Sequence, residues 1–253
     1  MKHLFSPEGE AALADLLRLQ PLLAFDFDGT LAPIVARPED ARVAPAVSRR
    51  LARLTERWPV AVVTGRQLAD VRDRLGFEPG CIVGNHGAEN LGDPAAAERL
   101  SRALDGARDL LAAQGAALAA AGVSVEDKGQ SLALHYRLAR DRDRARIEIE
   151  SLLARTGPEL RSFGGKLVFN LVAADAPDKA SAVHALVRAT GAGAALFAGD
   201  DLNDEPVFAA AEPHWLTIKV GHDEAATGAR FFLDSPAEMP RLLDRILAVL
   251  DAG

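Results

Sequence analysis

The segment that decides the fold is residues 22–31, with the sequence LLAFDFDGTL. It opens with four apolar residues in a row, which is typical of a short strand covered on both faces of a sheet. Asp26 and Asp28 follow one residue apart, so an extended chain would project both carboxylates to the same side. Gly29 then permits a sharp turn. This order of residues favours a functional site at the carboxyl end of a buried strand.

Similar apolar runs recur along the chain after this segment. They lie at residues 60–63, 81–83, 194–198, 216–220 and 231–233. Helical patterns lie between them, at residues 46–57, 67–75, 179–190, 203–211 and 241–250. This alternation predicts an α/β protein with a doubly wound core and a mostly parallel sheet. Functional residues are then expected just beyond the carboxyl ends of the strands.

The middle of the chain, residues 94–174, has a different pattern. One long helical pattern covers residues 95–121, and a second covers residues 142–155. Residues 131–138 and 166–173 alternate between apolar and polar side chains, which predicts strands with one covered and one open face. We therefore predict a small α/β domain inserted into the core, with a polar sheet face left free.

The predicted organisation is one catalytic core interrupted by one cap. Residues 1–93 and 175–253 would form the core, and residues 94–174 would form the cap. A chain of 253 residues is long enough to bury a core without disulfide or metal staples.

Composition excludes several classes of protein. The chain has 29 basic and 36 acidic residues, a net charge of −7, and a sequence pI near 5.4. An acidic chain argues against a general nucleic-acid surface, which needs a basic stripe. The single cysteine, Cys81, excludes an internal disulfide framework and a cysteine-based zinc site.

No apolar run resembles a signal peptide or a membrane span. The N-terminal pattern is interrupted by charges, and nowhere do about 18 apolar residues follow one another without a charge. We expect a cytoplasmic monomer that has no nucleic-acid or membrane partner and acts on a small molecule.

Asp26 and Asp28 are suited to phosphate chemistry. A hard divalent cation such as Mg²⁺ takes oxygen ligands and binds one or two carboxylates together with a substrate phosphate. A carboxylate at such a site can act as a nucleophile, and a second can protonate the leaving group. A single aspartate after a strand is more often a turn cap, but two aspartates followed by Gly-Thr favour the catalytic interpretation.

Four segments in order resemble the motifs of haloacid dehalogenase-type phosphatases. DFDGTL at residues 26–31 resembles the first motif, and VVTGR at residues 62–66 resembles the second. Lys179 matches the third-motif lysine, as placed in members with a large inserted cap. GDDLNDE at residues 199–205 resembles the fourth motif. The resemblance implies a haloacid dehalogenase-like core with an inserted α/β cap.

The resemblance implies a role for each catalytic residue. Asp26 would attack phosphorus and form an aspartyl-phosphate. Asp28 would protonate the departing alkoxide and then activate water. Thr64 would hold the phosphoryl oxygens, and Lys179 would supply charge and orient Asp26. Taken singly, Thr64 is typical of a helix N-cap and Lys179 of a solvated helix residue, so the interpretation rests on the joint pattern.

The same resemblance implies a Mg²⁺ cofactor and its ligands. The Asp26 side chain, the Asp28 backbone carbonyl and the Asp200 side chain would bind the ion. Asp201 and Asp204 would hold the metal or its waters from outside the ligand set.

Four further segments resemble the trehalose-6-phosphate phosphatases within this family. They are VGNHGAE at 83–89, the segments VEDK and SLALHYR within 125–137, and GKLVFN at 165–170. A disaccharide presents many hydroxyls, so its site needs convergent donors and acceptors. The predicted substrate-binding residues are Gly65, Arg66, Asn85, His86, Glu126, Lys128, His135, Arg137, Lys166 and Asn170. The expected reaction is hydrolysis of trehalose 6-phosphate, a phosphorylated disaccharide, to trehalose and phosphate.

The chain departs from that pattern at three positions. Asn170 stands where the family usually has Glu, Val172 where it has Arg or Lys, and Ala180 where it has Gly. Asn170 can still hydrogen-bond a sugar hydroxyl, but it accepts with less charge than a carboxylate. A related phosphatase acting on sucrose phosphate or a glycosyl-phosphoglycerate is therefore the alternative.

Two classes of protein outside this family are disfavoured. A sugar-phosphate-binding regulator without turnover is disfavoured, because every catalytic motif position is filled. A dinucleotide-binding protein is disfavoured, because no G-x-G-x-x-G occurs at a strand-to-helix turn.

Overall fold

The computed structural model describes residues 1–35, 37–89, 93–221 and 226–252. The chain divides into two compact units. The first consists of Met1–Asn90 and Pro177–Gly253, and the second of Leu91–Ala176. The sequence had placed these boundaries at residues 93/94 and 174/175, and residues 90–92 lie outside the described part of the chain.

The elements are numbered here in chain order over both units. The strands are β1 (Lys2–His3), β2 (Leu22–Phe25), β3 (Val60–Val63), β4 (Cys81–Val83), β5 (Ser124–Asp127), β6 (Leu132–His135), β7 (Leu160–Gly165), β8 (Val168–Ala173), β9 (Ala195–Gly199), β10 (Leu216–Val220) and β11 (Phe231–Leu233). The helices are α1 (Pro7–Leu17), α2 (Pro45–Thr55), α3 (Leu68–Leu75), α4 (Pro94–Ala103), α5 (Asp105–Ala113), α6 (Gly115–Ala120), α7 (Arg142–Leu153), α8 (Lys179–Thr190), α9 (Glu205–Ala210) and α10 (Met239–Ala252).

The first unit is built around a parallel sheet. Within the described residues its strand order is β1-β11-β10-β9-β2-β3-β4, and every neighbouring pair is parallel. Every residue of β2 is buried, as its continuous apolar sequence predicts. The α/β parallel-sheet core expected from the sequence is thus confirmed. The structure adds β1, whose two residues pair with β11 at the sheet edge.

Strand β2 lies between β3 and β9, so the carboxyl ends of these three strands share one edge. Phe25, the last residue of β2, is in register with Val62 of β3 and Ala198 of β9. The residues that follow these strands are consequently neighbours in space, although they are far apart in sequence.

Helix α8 brings a further residue to the first unit's interior. Its N-cap is Asp178, whose Oδ1 accepts the backbone N–H of Ser181 at 2.8 Å. The helix ends at Gly191, a left-handed residue with φ 67° that terminates it without steric cost. Lys179 therefore occupies the first turn of α8, as the sequence predicted for this helix.

The second unit contains an antiparallel sheet in the order β5-β6-β8-β7. Leu132, Leu134 and Leu171 point to one face and join a cluster with residues such as Leu104 and Ile149 from the helices. The opposite face is the one that carries the polar side chains. Period-two alternation therefore gave the correct faces for this part of the sheet. The sequence predicted that the polar face is left free, but it is not free along its whole length, since Asn170 and Ala133 on it are buried.

The single helix predicted over residues 95–121 is wrong in detail. The chain forms α4, α5 and α6 instead, with breaks at Leu104 and Gln114. Gln114 leaves helical geometry at φ −102° and ψ 6°, directly before Gly115, a poor helix former.

The sequence also missed β7, because its last residues, Phe163-Gly164-Gly165, give a weak strand pattern. Strand β7 pairs with β8 through a two-residue hairpin, in which Leu167 has φ 62°. Lys166 therefore lies in the turn and not within the predicted strand. The neighbouring strand β6 ends at His135, which leaves Leu138 87% exposed.

Candidate active site

The predicted catalytic residues of the first unit meet where strands end. Asp26 follows β2, and its N–H continues the sheet by donating to the Ala198 carbonyl at 2.9 Å. Thr64 follows β3, and its N–H donates to the Val83 carbonyl at 2.8 Å. Asp200 follows β9 and is buried, as are Asp26 and Thr64. The sheet itself fixes the backbone of these residues.

A buried ion cluster holds Asp26 in place. The Lys179 ammonium lies 2.9 Å from Asp26 Oδ1 and 2.7 Å from Asp204 Oδ1. Asp204 Oδ2 accepts the backbone N–H groups of Asp200 at 2.9 Å and Asp201 at 3.0 Å. Asp204 thereby orients both the lysine and the loop that carries Asp200, while Asp201 caps the short turn that follows.

The electrostatics of the cluster follow from its burial. Burial raises the pKa of Asp26 and the Asp204 and Asp200 carboxylates raise it further, against the opposing effect of Lys179. Burial lowers the pKa of Lys179, but the charges of Asp204 and Asp26 outweigh this, so its pKa is raised and the ammonium stays protonated. The site therefore carries more negative charge than its lysine can offset.

The cluster fits a hard divalent cation. Asp26, Asp200 and Asp204 each offer a carboxylate oxygen, and these atoms lie within 4.8 Å of one another. Three carboxylates and one ammonium leave a formal charge of −2 in a buried place. An all-oxygen donor set with this charge is what Mg²⁺ and similar ions bind.

Gly29 allows the first motif to approach Asp200 closely. A Cβ at this position would lie 2.0 Å from Asp200 Oδ2, and the backbone there has φ 77°. Only glycine satisfies both requirements. The Asp28–Gly29 backbone therefore lies against the Asp200 side chain.

Arg66 forms a two-pronged ion pair with Asp28. Its Nε lies 2.7 Å from Asp28 Oδ2, and its Nη2 lies 2.8 Å from Asp28 Oδ1. The Arg66 backbone N–H donates to Thr64 Oγ1 at 3.2 Å, which leaves the hydroxyl proton of Thr64 able to donate elsewhere. The sequence predicted Arg66 as a substrate contact, and the structure places its guanidinium on the predicted acid–base residue.

Asn85 and His86 are held at the same strand ends by backbone bonds. The Asn85 N–H donates to the Arg66 carbonyl at 2.8 Å, and the His86 N–H donates to the Thr64 carbonyl at 2.9 Å. Both residues are left-handed, with φ 46° and 58°, a strain that commonly marks functional loops. The His86 ring packs against Gly65, where a Cβ would lie 2.3 Å from His86 Cε1.

Glu89 organises this loop but was not predicted as a site residue. Its Oε2 accepts the backbone N–H of Leu68 at 2.8 Å and lies 3.2 Å from Asn85 Nδ2. It therefore caps α3 from another loop, where the sequence suggested a cap by Thr64. The signal was available, since Glu89 ends the quoted motif VGNHGAE.

In the second unit, the structure brings three predicted residues together on the polar sheet face. His135 Nε2 lies 2.9 Å from Glu126 Oε2, and Lys128 Nζ lies 3.7 Å from the same oxygen. Asn170 of β8 is in register with Ala133 of β6, and Ala133 is in register with Glu126 of β5. Asn170, Ala133 and Glu126 therefore lie in one row across the sheet.

Arg137 and Lys166 are farther along the same sheet. Arg137 follows the end of β6, and Lys166 lies in the hairpin turn that precedes β8. The Tyr136 N–H donates to the Leu167 carbonyl at 3.1 Å, which ties these two segments together. They lie at one end of the sheet, beside the row that contains His135 and Val168.

Arg108 anchors β5 from the opposite face and was missed by the sequence analysis. Its Nε donates to Asp127 Oδ2 at 2.7 Å, and its Nη2 donates to the Gly129 carbonyl at 2.7 Å. Its Nη1 donates to the Ser101 carbonyl at 2.7 Å. The strand that carries Glu126 is thereby fixed to helices α4 and α5.

Solved structures share this fold. A "trehalose-6-phosphate phosphatase related protein" aligns over 91% of this chain and 99% of its own, with a TM-score of 0.71 and 26% identity. The C-terminal domain of the C. albicans trehalose-6-phosphate phosphatase aligns over 94% of this chain and 96% of its own, with a TM-score of 0.77 and 21% identity. The fold and the strand-end carboxylates define a haloacid dehalogenase-type phosphatase.

The sequence comparisons identify a family within this class of phosphatases. The family model of the trehalose-phosphatases matches residues 24–237. The trehalose-phosphate phosphatase of Mycobacterium tuberculosis is 36% identical over 251 residues, which cover 92% of this chain. The chain belongs to the trehalose-phosphatase family. It spans 63% of the length of this relative.

The family implies a divalent metal, and the structure has an acidic cluster of Asp26, Asp200 and Asp204 at the strand ends. Because both oxygens of Asp204 already bind Lys179 and backbone N–H groups, Asp26 and Asp200 are the better candidates for metal ligands. Among the described residues, no helix combines the length and the apolarity that a membrane span requires.

We expect Mg²⁺ to stabilise the folded chain, because it offsets the excess negative charge of the buried cluster. At saturating Mg²⁺ the melting temperature should rise by about 5 °C over the chelator-treated protein. Differential scanning fluorimetry measures this, with NaCl at matched ionic strength as the control. A rise of the same size in Asp200→Asn would contradict the assignment.

Gly65→Ala should destabilise the chain, because the new methyl group overlaps the His86 ring. We expect a loss of about 1–3 kcal/mol in the free energy of unfolding, measured by urea denaturation. Gly106→Ala is the matched control, since that helical position has open space and should change stability by at most about 1 kcal/mol in the favourable direction. Equal effects of the two substitutions would show that the His86 contact is unimportant.

Proposed function

We propose that this chain hydrolyses trehalose 6-phosphate to trehalose and inorganic phosphate. Membership of the trehalose-phosphatase family supports the substrate. The observation that carries the chemistry is the buried Asp26 carboxylate, held by Lys179 at a strand end beside Asp200. A nucleophilic carboxylate needs this fixed orientation and an electropositive partner for an anionic substrate.

The proposed reaction has two steps. An oxygen of Asp26 attacks phosphorus, an aspartyl-phosphate forms, and the bond between phosphorus and the sugar oxygen breaks. Asp28 gives its proton to the departing alkoxide, which leaves as trehalose. Asp28 then takes a proton from water, whose oxygen attacks phosphorus and releases phosphate and free Asp26.

The other residues at the strand ends have supporting roles. Lys179 binds Oδ1 of Asp26 and so limits rotation of the carboxylate. Thr64 can donate its hydroxyl proton to a phosphoryl oxygen, because its Oγ1 acts as the acceptor in its contact with the Arg66 backbone N–H. Asp26, Asp200 and the Asp28 carbonyl would hold Mg²⁺, which when bound supplies positive charge to the phosphoryl oxygens.

We propose that the polar face of the second unit binds sugar hydroxyls. Glu126 and His135 form a hydrogen-bonded acceptor–donor pair, and Lys128 adds a cation beside Glu126. Asn170 provides both a carbonyl and an amide on the same face. Arg137 and Lys166 extend the donor set at the end of the sheet.

A substrate panel tests the assignment of the sugar. With Mg²⁺, we expect kcat/KM for trehalose 6-phosphate to exceed that for sucrose 6-phosphate and glucose 6-phosphate by at least about 10-fold, as one well-placed set of hydroxyl contacts provides. Phosphate release measures this. Equal or reversed rates would remove trehalose 6-phosphate as the substrate and leave the phosphatase class intact.

Asp26→Asn should abolish turnover while the fold persists, because the amide is a poor nucleophile in the same volume. We expect kcat to fall by at least about 10³-fold, with an unchanged circular dichroism spectrum. Turnover close to wild type in a folded Asp26→Asn protein would overturn the proposed mechanism.

A further inference from the structure

We propose that Asp70 is a positioning residue that fixes the Arg66–Asp28 pair for catalysis, an inference that rests on the proposed phosphatase function. Asp70 lies on α3, outside the motifs that carry the family resemblance. It would act through Arg66 and not on the substrate.

The contacts form one continuous array. Arg66 Nη1 donates to Asp70 Oδ2 at 2.6 Å, and Arg74 Nε donates to Asp70 Oδ1 at 2.9 Å. Arg74 Nη2 also contacts Asp70 Oδ1, and Arg74 Nε donates to the Asp70 carbonyl at 2.8 Å. The two oxygens of Asp70 thus bind two guanidinium groups, and one of these holds Asp28.

Arg66 is committed to the protein through most of its donors. Asp28 takes two N–H groups, Asp70 takes one, and the Pro38 carbonyl accepts another from Nη2 at 2.9 Å. A guanidinium has five N–H donors, so four are in use. The group also lies over the Phe27 ring, 5.1 Å from its centroid, and the Arg66 side chain is only 11% exposed. Arg66 is therefore held in one position and fixes the Asp28 carboxylate through two hydrogen bonds; we call this arrangement the clamp on Asp28.

The charges of the array are stable around neutral pH. Burial raises the pKa of Asp70, but hydrogen bonds from Arg74 and Arg66 outweigh this and hold it below its ordinary value. Burial lowers the pKa of Arg66, but its bonds to Asp28 and Asp70 outweigh this and raise it. Asp70 and Arg66 therefore stay charged and paired in the pH range where the enzyme is assayed.

Asp28 depends on this clamp more than the other carboxylates do. Its side chain is 42% exposed, whereas Asp26 and Asp204 are enclosed in the buried cluster. The two-pronged ion pair holds Asp28 as the carboxylate, which is the form that takes a proton from water in the second step of the proposed reaction. In the first step the protonated Asp28 can keep one of the two contacts with Arg66 while it donates to the leaving oxygen. A misplacement of about 1 Å can cost up to about 100-fold in rate, so the clamp has a catalytic consequence.

A purely structural role for Asp70 makes a different prediction. Arg66 and Arg74 also bind the Pro38 and Glu39 carbonyls, so the array ties that loop to α3. If this were its whole purpose, loss of Asp70 would lower stability and leave kcat unchanged.

A double-mutant cycle separates the two roles. Wild type, Asp70→Asn, Arg66→Gln and the double variant are assayed with saturating Mg²⁺ on trehalose 6-phosphate and on p-nitrophenyl phosphate. We expect Asp70→Asn to lower kcat about 10-fold with KM within about twofold, and to have no further effect in the Arg66→Gln background. Asp70→Glu should recover part of kcat, and the exposed Asp73→Asn on the same helix should match wild type.

The outcomes are distinct. Wild-type kcat in Asp70→Asn, or effects that simply add in the double variant, would overturn the positioning role. If Asp70→Asn does not fold, Arg66→Lys decides, because lysine keeps the charge but cannot hold Asp28 by two prongs. It should lower kcat similarly, and a rise in KM alone would overturn the proposal. A wild-type protein that releases phosphate from neither substrate would overturn the proposed function, and this inference with it.

Discussion

The interaction on which the site depends is the burial of the Lys179 ammonium between Asp26 and Asp204. A buried charge is tolerated only when it is paired and hydrogen-bonded, so each of the three groups needs the others. They come from the end of β2, the start of α8 and the loop after β9. One cluster therefore fixes three segments that are far apart in sequence, and Asp204 extends its effect to the backbone of Asp200 and Asp201.

The buried cluster of charged groups lowers the stability of the fold in return for placing reactive carboxylates at the site. Uncharged side chains of similar volume would fill the same space without desolvating carboxylates, and buried ion pairs often stabilise less than such replacements. The left-handed Asn85 and His86 add backbone strain at the same strand ends. The parallel sheet can support both costs, because the strands leading to the site are buried along their length.

The sequence predicted the parts of the fold that are set by local pattern. The strands at 22–25, 60–63 and 81–83 and the helix at 179–190 have the predicted bounds, since apolar runs and caps determine them. The helix break at Gln114 and strand β7 were missed, because the glycines beside them leave only a weak local signal in the sequence. Contacts between side chains that are far apart in sequence could not be predicted either. Arg66 and Asp28 are separated by 38 positions, and no local sequence pattern indicates that they pair.

The charge of the site bears on how an acidic protein could bind the proposed anionic substrate. In the part of the chain that the structure describes, two cations, Lys179 and Arg66, form ion pairs with Asp26, Asp28 and Asp204. Together with Asp200, these six groups carry a formal charge of −2. Both cations are bound to carboxylates, so neither is a simple attractor for phosphate. If the chain has the proposed phosphatase function, a divalent ion held by the carboxylate cluster would supply the attraction for phosphate, and phosphate affinity would depend on prior metal binding. The acidic residues would then bind the anionic substrate indirectly, through the metal ion.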